Sequence, residues 1–311
     1  MISKRVKHGR IDDHAGEAGA GEAWKMHLNR REFLRFSGLA AVMPFLQAHG
    51  FEPIGALNVR RVKLAVGSER PFTVLHVSDS HLARIDSRDG DALHAFARAR
   101  SRIGREMGEY YLCEAAHYAK AAKVKMVHTG DFMDFLSEAN LEYARRFLCS
   151  YDFLACVGNH EYWRDAEHPE TEAYKAPAVP KLKGSWNGVP VSTHRMNGVN
   201  FFVFDNSFRT VTAEIADAFE KTLKEGLPVV MVCHVPLWTA GQGIDAFSCG
   251  NPKACDALSC EFVERARREP LVRAVLSGHL HGFHDFEFSP HARELVAGAL
   301  FDGECTEVAF A

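Results

Sequence analysis

A layered α/β fold is what this sequence predicts, on two observations. From about residue 61 onward, short β-rich apolar runs alternate with longer stretches of helical period, the pattern of strands joined by helices. Five of those runs end in a polar cluster within a few residues, and the carboxyl ends of strands are where open α/β sheets carry their sites. With 311 residues, 47% of them hydrophobic and 25% charged, the chain has a globular composition that can bury one large core or two modest ones.

The predicted strands are, in order, Phe72 to Val77, Val124 to Val127, Phe153 to Val157, Phe201 to Phe204, Val229 to Cys233 and Val272 to Leu276. Helical period covers Ala92 to Lys120, with a break expected near Gly104 or Gly108, and Ala139 to Leu148, with Leu141, Ala144, Phe147 and Leu148 on one face. It recurs over Ala213 to Leu223, where Ile215, Phe219 and Leu223 are spaced by four, and over Cys255 to Arg268. Each helix would lay its apolar stripe on a sheet. Residues 164–198 carry Pro169, Pro177, Pro180, Gly184, Trp186, Gly188 and Pro190 without a clean period, and read as a long irregular insertion. No internal repeat, heptad, low-complexity tract or second domain boundary stands out.

A leader precedes the fold. Residues 1–25 are polar and rich in Gly, Ala and charge, which fits a disordered or untranslated stretch, with Met26 as an alternative start. Residues 26–48 bring Arg30-Arg31, then Phe33-Leu34, then a mostly apolar run from Phe36 that ends in Ala48. That order resembles a twin-arginine export signal, and it implies export to the periplasm or cell exterior through the corresponding machinery, leaving residues 49–311 as the folded domain. An amphipathic helix with a chance arginine pair is the other reading. The apolar part is too short for a transmembrane anchor, which needs about 20 residues.

A formal charge of -3, from 37 basic and 40 acidic residues, leaves no excess of cations to cover a nucleic-acid backbone, so no nucleic-acid partner is expected. A small phosphorylated substrate stays open, because bound metal ions supply positive charge that side chains do not. The eight cysteines contain no CxxC pair, which excludes a zinc ribbon or thioredoxin-type motif. Two of Cys249, Cys255 and Cys260 could pair in an oxidising compartment, or all could be buried apolar groups.

The chemistry lies in the polar clusters: Asp79-Ser80-His81, Gly130-Asp131, Gly158-Asn159-His160-Glu161, His234, and Gly278-His279-Leu280-His281. Any one of them arises by chance. Together and in this order, over residues 72 to 281, they resemble the calcineurin-like metallophosphoesterases. Imidazole, carboxylate and amide donors without a thiolate suit Mn, Fe, Zn or Ni. Gly130, Gly158 and Gly278 would let the backbone turn or approach where a side chain obstructs.

The resemblance implies two mainly mixed β-sheets flanked by helices and a pair of divalent metal ions. Asp79, His81 and His281 would hold one ion and Asn159, His234 and His279 the other, with Asp131 bridging. Such a pair clamps the attacking and leaving oxygens of an in-line displacement and activates a bridging hydroxide as nucleophile on a phosphate mono- or diester. His160 would be catalytic, protonating the leaving oxygen or stabilising charge, against a purely structural role beside the ligands. Glu161 would orient His160 or a ligand histidine.

Other residues are open to two readings. Asp134 is an outer-shell acceptor or a solvated or capping Asp. Asp205-Asn206 is a turn, His76 and His128 are core or sheet-face histidines, and Trp238 lines the pocket or simply packs. Asp134 stands where purple acid phosphatases carry a tyrosine ligand, which argues against an iron-tyrosinate site. Arginines equivalent to those that grip phosphate in the protein phosphatases of the family cannot be placed, which argues against a phosphoprotein substrate. Residues 164–198 and 244–256 would select the substrate. The rivals are a non-catalytic metal-binding scaffold of the same fold and a two-metal hydrolase acting on another substrate; scaffold relatives usually lose ligands, and here every position is filled.

Overall fold

A computed structural model describes residues 56–101, 107–164, 169–239, 248–251, 253 and 255–311 of the chain. Residues 55–311 form one compact unit; the leader with its arginine pair lies outside the described residues, as do residues 244–247, 252 and 254 of the expected selecting segment 244–256. All six strands expected from the sequence form, as β2 (Phe72–Val77), β3 (Lys125–Thr129), β4 (Phe153–Cys156), β6 (Val199–Phe204), β7 (Val229–Val232) and β8 (Val272–Ser277). Five more join them: β1 (Asn58–Leu64), β5 (Val191–Met196), β9 (His284–Ser289), β10 (Ala292–Val296) and β11 (Glu304–Phe310).

The strands make two mixed sheets, of order β1-β11-β2-β3-β4 and β5-β6-β7-β8-β10-β9. Each contains a parallel trio, β2-β3-β4 at one side of the first sheet and β6-β7-β8 inside the second. Strands buried on both faces read as continuous apolar runs, and these do: Val74 and Val203 point into the layer between the sheets, while their neighbours Leu75, Phe202 and Phe204 point outward to helices. The inter-sheet layer also holds Val127, Leu154, Val230, Val232 and Leu276.

Helices α1 (Asp91–Ser101), α2 (Gly108–Ala122) and α3 (Glu138–Ser150) come from the first half of the chain; α2 begins at Gly108, one of the two positions expected for a break, and Gly104 lies outside the described residues. Leu112, Ala115 and Ala119 of α2 and Leu141, Ala144 and Phe147 of α3 cover the first sheet. After the short turns α4 (Glu172–Lys175) and α5 (Val179–Leu182), helices α6 (Ala213–Leu223) and α7 (Ala257–Arg268) cover the second. Phe219 of α6 sits 5.4 Å from Phe202 and 5.2 Å from Phe262 of α7; burying such a side chain contributes about 1.5 to 3 kcal/mol. Helices α3, α6 and α7 are capped at their N-termini, by Ser137 on Asn140 N–H, Thr212 on Ile215 N–H and Asp256 on Ser259 N–H. The result is a helix–sheet–sheet–helix sandwich.

Residues 164–198 need correction, because they are not irregular throughout. They contain α4, α5 and the edge strand β5, which pairs with β6 across the two-residue turn Asn197-Gly198, where both φ angles are positive, 47° and 78°. Asn-Gly between strands signals a type I′ hairpin. As an edge strand, β5 has one solvated side and no apolar run, so hydrophobicity alone hides it.

Candidate metal centre

All seven expected ligands lie in the loops after the parallel strands: Asp79 and His81 after β2, Asp131 after β3, Asn159 after β4, His234 after β7, and His279 and His281 after β8. Because both trios present their carboxyl ends at one edge of the sandwich, residues some 200 positions apart meet. Asp79, His81, Asp131, Asn159 and His234 are all buried, Asn159 being the most accessible at 5%.

Asp79, His81, Asp131, His279 and His281 all adopt left-handed backbone, with φ of 57°, 47°, 52°, 72° and 59°. That region costs a non-glycine residue about 1 to 3 kcal/mol and persists only where surrounding structure enforces it. Here the enforcement is a lattice of main-chain bonds, in which Asp79 N–H donates to Gly130 O (3.0 Å), His81 N–H to Asp131 O (3.0 Å) and Gly278 N–H to His234 O (2.9 Å). Two glycines allow the approach. A Cβ on Gly130 would stand 2.6 Å from His234 Nδ1, and one on Gly158 would stand 2.2 Å from Asp131 Oδ1.

Hydrogen-bonding capacity identifies what the site is built for. His234 Nδ1 donates to Thr129 O at 2.7 Å, an atom that can only accept, so the lone pair of the neutral ring is on Nε2. That nitrogen faces Asn159 Oδ1 at 3.1 Å, Asp131 Oδ2 at 3.2 Å and His279 Nδ1 at 3.2 Å. His81 repeats the arrangement, with Nδ1 on Asp134 Oδ1 at 2.7 Å and Nε2 facing His281 Nε2 at 3.3 Å and both Asp79 Oδ1 and Asp131 Oδ2 at 3.6 Å. His281 Nε2 is also 3.3 Å from Asp79 Oδ1, a buried oxygen with no hydrogen-bond partner. Converging electron pairs of this kind are satisfied by cations, and Asp79-His81-His281 and Asp131-His234-His279 each bring ligand atoms close enough to share one. Asp131 Oδ2 faces the imidazoles of both groups.

Without cations the site holds protons instead. Burial works against charge on His81, yet the bond to Asp134 and the nearby Asp79 and Asp131 carboxylates outweigh it and raise the pKa to about 10. For His234 burial is likewise overcome, chiefly by Asp131, and the pKa rises to about 9. Asp79 and Asp131 are held below the carboxylate range: burial opposes this, but His281 and His81 at Asp79, and His234 and His160 at Asp131, prevail. His279 goes the other way, down to about 3, through burial and the charge on His234.

His160 stands beside this cluster. Its N–H donates to Asp131 Oδ1 at 2.9 Å, its Nδ1 lies 2.9 Å from Asp134 O and 3.2 Å from Asp134 Oδ1, and its Nε2 turns toward Asp131 Oδ2 at 3.9 Å. The ring stacks on Trp163, centroids 3.8 Å apart. Asp134 is neither solvated nor a cap but fully buried, touching His81 and His160 and gripped by Arg100 of α1. Glu161 does not orient a histidine. Its carboxylate accepts from the N–H groups of Asp131, Met133 and Gly158, at 3.0, 2.8 and 2.6 Å, and so fixes the backbone that presents Asp131.

His76 and His128 are buried sheet histidines, paired with Thr129 and Ser80, and burial lowers each to about 3. Trp238 packs, with the Arg267 guanidinium 3.6 Å over its ring. Asp205-Asn206 is more than a turn. Asn206 Oδ1 accepts from His234 N–H and Val235 N–H, each at 3.0 Å, and its Nδ2 donates to Val235 O at 2.7 Å. Its signal was available, because it follows β6 as the other clusters follow their strands. Arg100 and Phe301, whose ring lies edge-on to His81 and His281 at 5.4 and 5.1 Å, carry no sequence signal.

Residues 72–283 match the family model described as calcineurin-like phosphoesterase. Among solved structures the chain is similar to a dimetal phosphatase from Danio rerio, 13% identical with a TM-score of 0.47 over 74% of this chain and 88% of that one. It is also similar to a phosphopantetheinyl hydrolase from Mycobacterium tuberculosis, 14% identical with a TM-score of 0.40 over 74% of this chain and 90% of that one. A purple acid phosphatase from yellow lupin seeds is 12% identical with a TM-score of 0.46 over 77% of this chain and 45% of that one. No curated protein sequence matches.

Proposed function

The chain belongs to the calcineurin-like phosphoesterase family, and we propose that it hydrolyses a phosphate mono- or diester at a binuclear centre. Asp79, His81 and His281 would hold one divalent ion and Asn159, His234 and His279 the other, with Asp131 available to both. The observation that carries this is the convergence of His81 Nε2 and His234 Nε2 on Asp131 Oδ2, each ring having committed its Nδ1 elsewhere. Bound there, Mn, Fe, Zn or Ni ions supply positive charge for the phosphoryl oxygens and acidify water to furnish hydroxide near neutrality.

The chain's own residues do the rest. Asp134 and the Thr129 carbonyl fix the tautomers of His81 and His234, which keeps the ligand nitrogens free of protons when cations bind. His160, with Nδ1–H anchored on Asp134 O, turns Nε2 toward the centre; in its imidazolium form it can pass the Nε2 proton to the leaving oxygen and remain as the neutral Nδ1–H ring. Burial of the Asp79 and Asp131 carboxylates strengthens their attraction for cations.

The test is hydrolysis of p-nitrophenyl phosphate and bis(p-nitrophenyl) phosphate by the full chain with Mn2+, Zn2+, Fe2+ or Ni2+. Metal-dependent turnover of at least one ester is expected, with His160→Ala lowering kcat by about 100-fold or more and Asp131→Asn removing it. No turnover of either ester with any of these ions would leave a binding scaffold as the function. Preference between the two esters separates phosphatase from diesterase.

Export is part of the proposal and rests on the leader sequence, Arg30-Arg31 followed by the apolar run to Ala48. Residues 26–55 fused to a reporter should carry it across the membrane, and the Arg30→Lys, Arg31→Lys pair should abolish that; export that survives the pair overturns the assignment.

A further inference from the structure

Asp134 touches both a ligand imidazole and the His160 ring through one carboxylate oxygen, Oδ1, and what holds Asp134 comes from outside the motif loops. Arg100, near the end of α1, lays a fork across it, Nε on Oδ2 at 2.6 Å and Nη2 on Oδ1 at 2.5 Å. Asp134 is fully buried and the Arg100 side chain 14% exposed, so the pair is shielded from water. The same guanidinium lies 4.9 Å over the Trp163 ring, whose indole stacks on His160, and 5.9 Å over Phe96. Arg100, Asp134, His160 and Trp163 therefore close a ring of contacts, and His81 hangs from the Asp134 corner.

We propose that Arg100 is a positioning residue, which through Asp134 and Trp163 fixes His81 for metal binding and His160 for the leaving group at the same time. The inference deepens the phosphoesterase reading and rests on it. The geometry requires an arginine. Two parallel N–H donors lock the carboxylate plane, and that plane aims Oδ1 at both His81 Nδ1 and His160 Nδ1. An ammonium would neutralise Asp134 without fixing its rotation. Arg100 spends two donors on Asp134, so its role differs from that of an arginine that grips substrate phosphate.

The test uses the full chain as wild type, Arg100→Gln, Arg100→Lys, Asp134→Asn and the Arg100→Gln, Asp134→Asn double variant. Mn2+ affinity is measured by calorimetry, and kcat and KM with the nitrophenyl esters. Arg100→Gln should weaken Mn2+ binding and lower kcat, each by about 10- to 100-fold, with KM nearly unchanged. Arg100→Lys should recover only part of the loss. The double variant should be no worse than Asp134→Asn alone, because both changes act on the same two imidazoles. A raised KM with Mn2+ affinity intact would make Arg100 a substrate contact and overturn the proposal, as would penalties that multiply in the double variant. If Arg100→Gln fails to fold, Arg100→Lys decides, and Mn2+ affinity and kcat equal to wild type would refute the proposal. Absence of turnover in the wild type sinks the phosphoesterase reading, while the Mn2+ affinities still decide the part played by Arg100.

Discussion

Replacing Asn206 with Ala should be among the most damaging changes outside the ligands, although Asn206 faces no cation. Its fully buried amide closes three bonds onto the backbone of His234 and Val235. Each such bond contributes about 1 kcal/mol net, and a buried group left without a partner costs about 1 to 3 kcal/mol. Ala leaves two N–H groups and one carbonyl stranded, and the space vacated by the amide admits one water that can re-pair some of them. The expected loss is therefore about 3 to 4 kcal/mol, which in a unit of this size lowers Tm by roughly 6 to 16 °C. Urea unfolding should be followed in the presence of a chelator, since bound metal would add stability by mass action and mask the change. An unchanged m-value with the midpoint shifted down is the expected outcome. A Tm within about 2 °C of wild type, the scale of an exposed surface substitution, would show that the His234 backbone is held by its strand alone.

Two further outcomes follow from the site. In the cation-free state His81 and His234 have pKa values raised to about 10 and 9, so both carry a proton at pH 7.5 that a metal must displace from Nε2. About two protons should be released on loading, and apparent affinity should climb as pH rises through about 9 to about 10; calorimetric heats that do not vary between buffers of different ionisation enthalpy would contradict this. Gly158→Ala puts a methyl 2.2 Å from Asp131 Oδ1 and 2.6 Å from Asp131 N, an amide already pinned by Glu161. The overlap should cost about 1 to 3 kcal/mol and displace Asp131, so a variant with wild-type Mn2+ affinity would show the loop to be more yielding than its hydrogen bonds indicate.

Much of this protein could be read before any coordinates. The apolar runs that became β2, β3, β4, β6, β7 and β8 are buried on both faces, and that burial writes itself into consecutive hydrophobic residues. Because sites in such sheets form beyond the carboxyl ends of strands, the polar clusters could be located from position, and the resemblance to the calcineurin-like family then named the seven candidate ligands and His160. β1, β5, β9, β10 and β11 were not named, since edge and antiparallel strands alternate polar with apolar residues and leave no continuous run. The sequence by itself thus determined the layered class, the strands that carry the site and the candidate donors proposed for it. Tertiary structure alone decided how those donors are held: Arg100 on Asp134, Glu161 under the Asp131 backbone, Asn206 beneath His234, Phe301 against two imidazoles. The physical reason is that a ligand's chemistry is fixed by its own side chain. Its orientation depends on partners brought up from elsewhere in the chain, and no spacing in the sequence records that meeting.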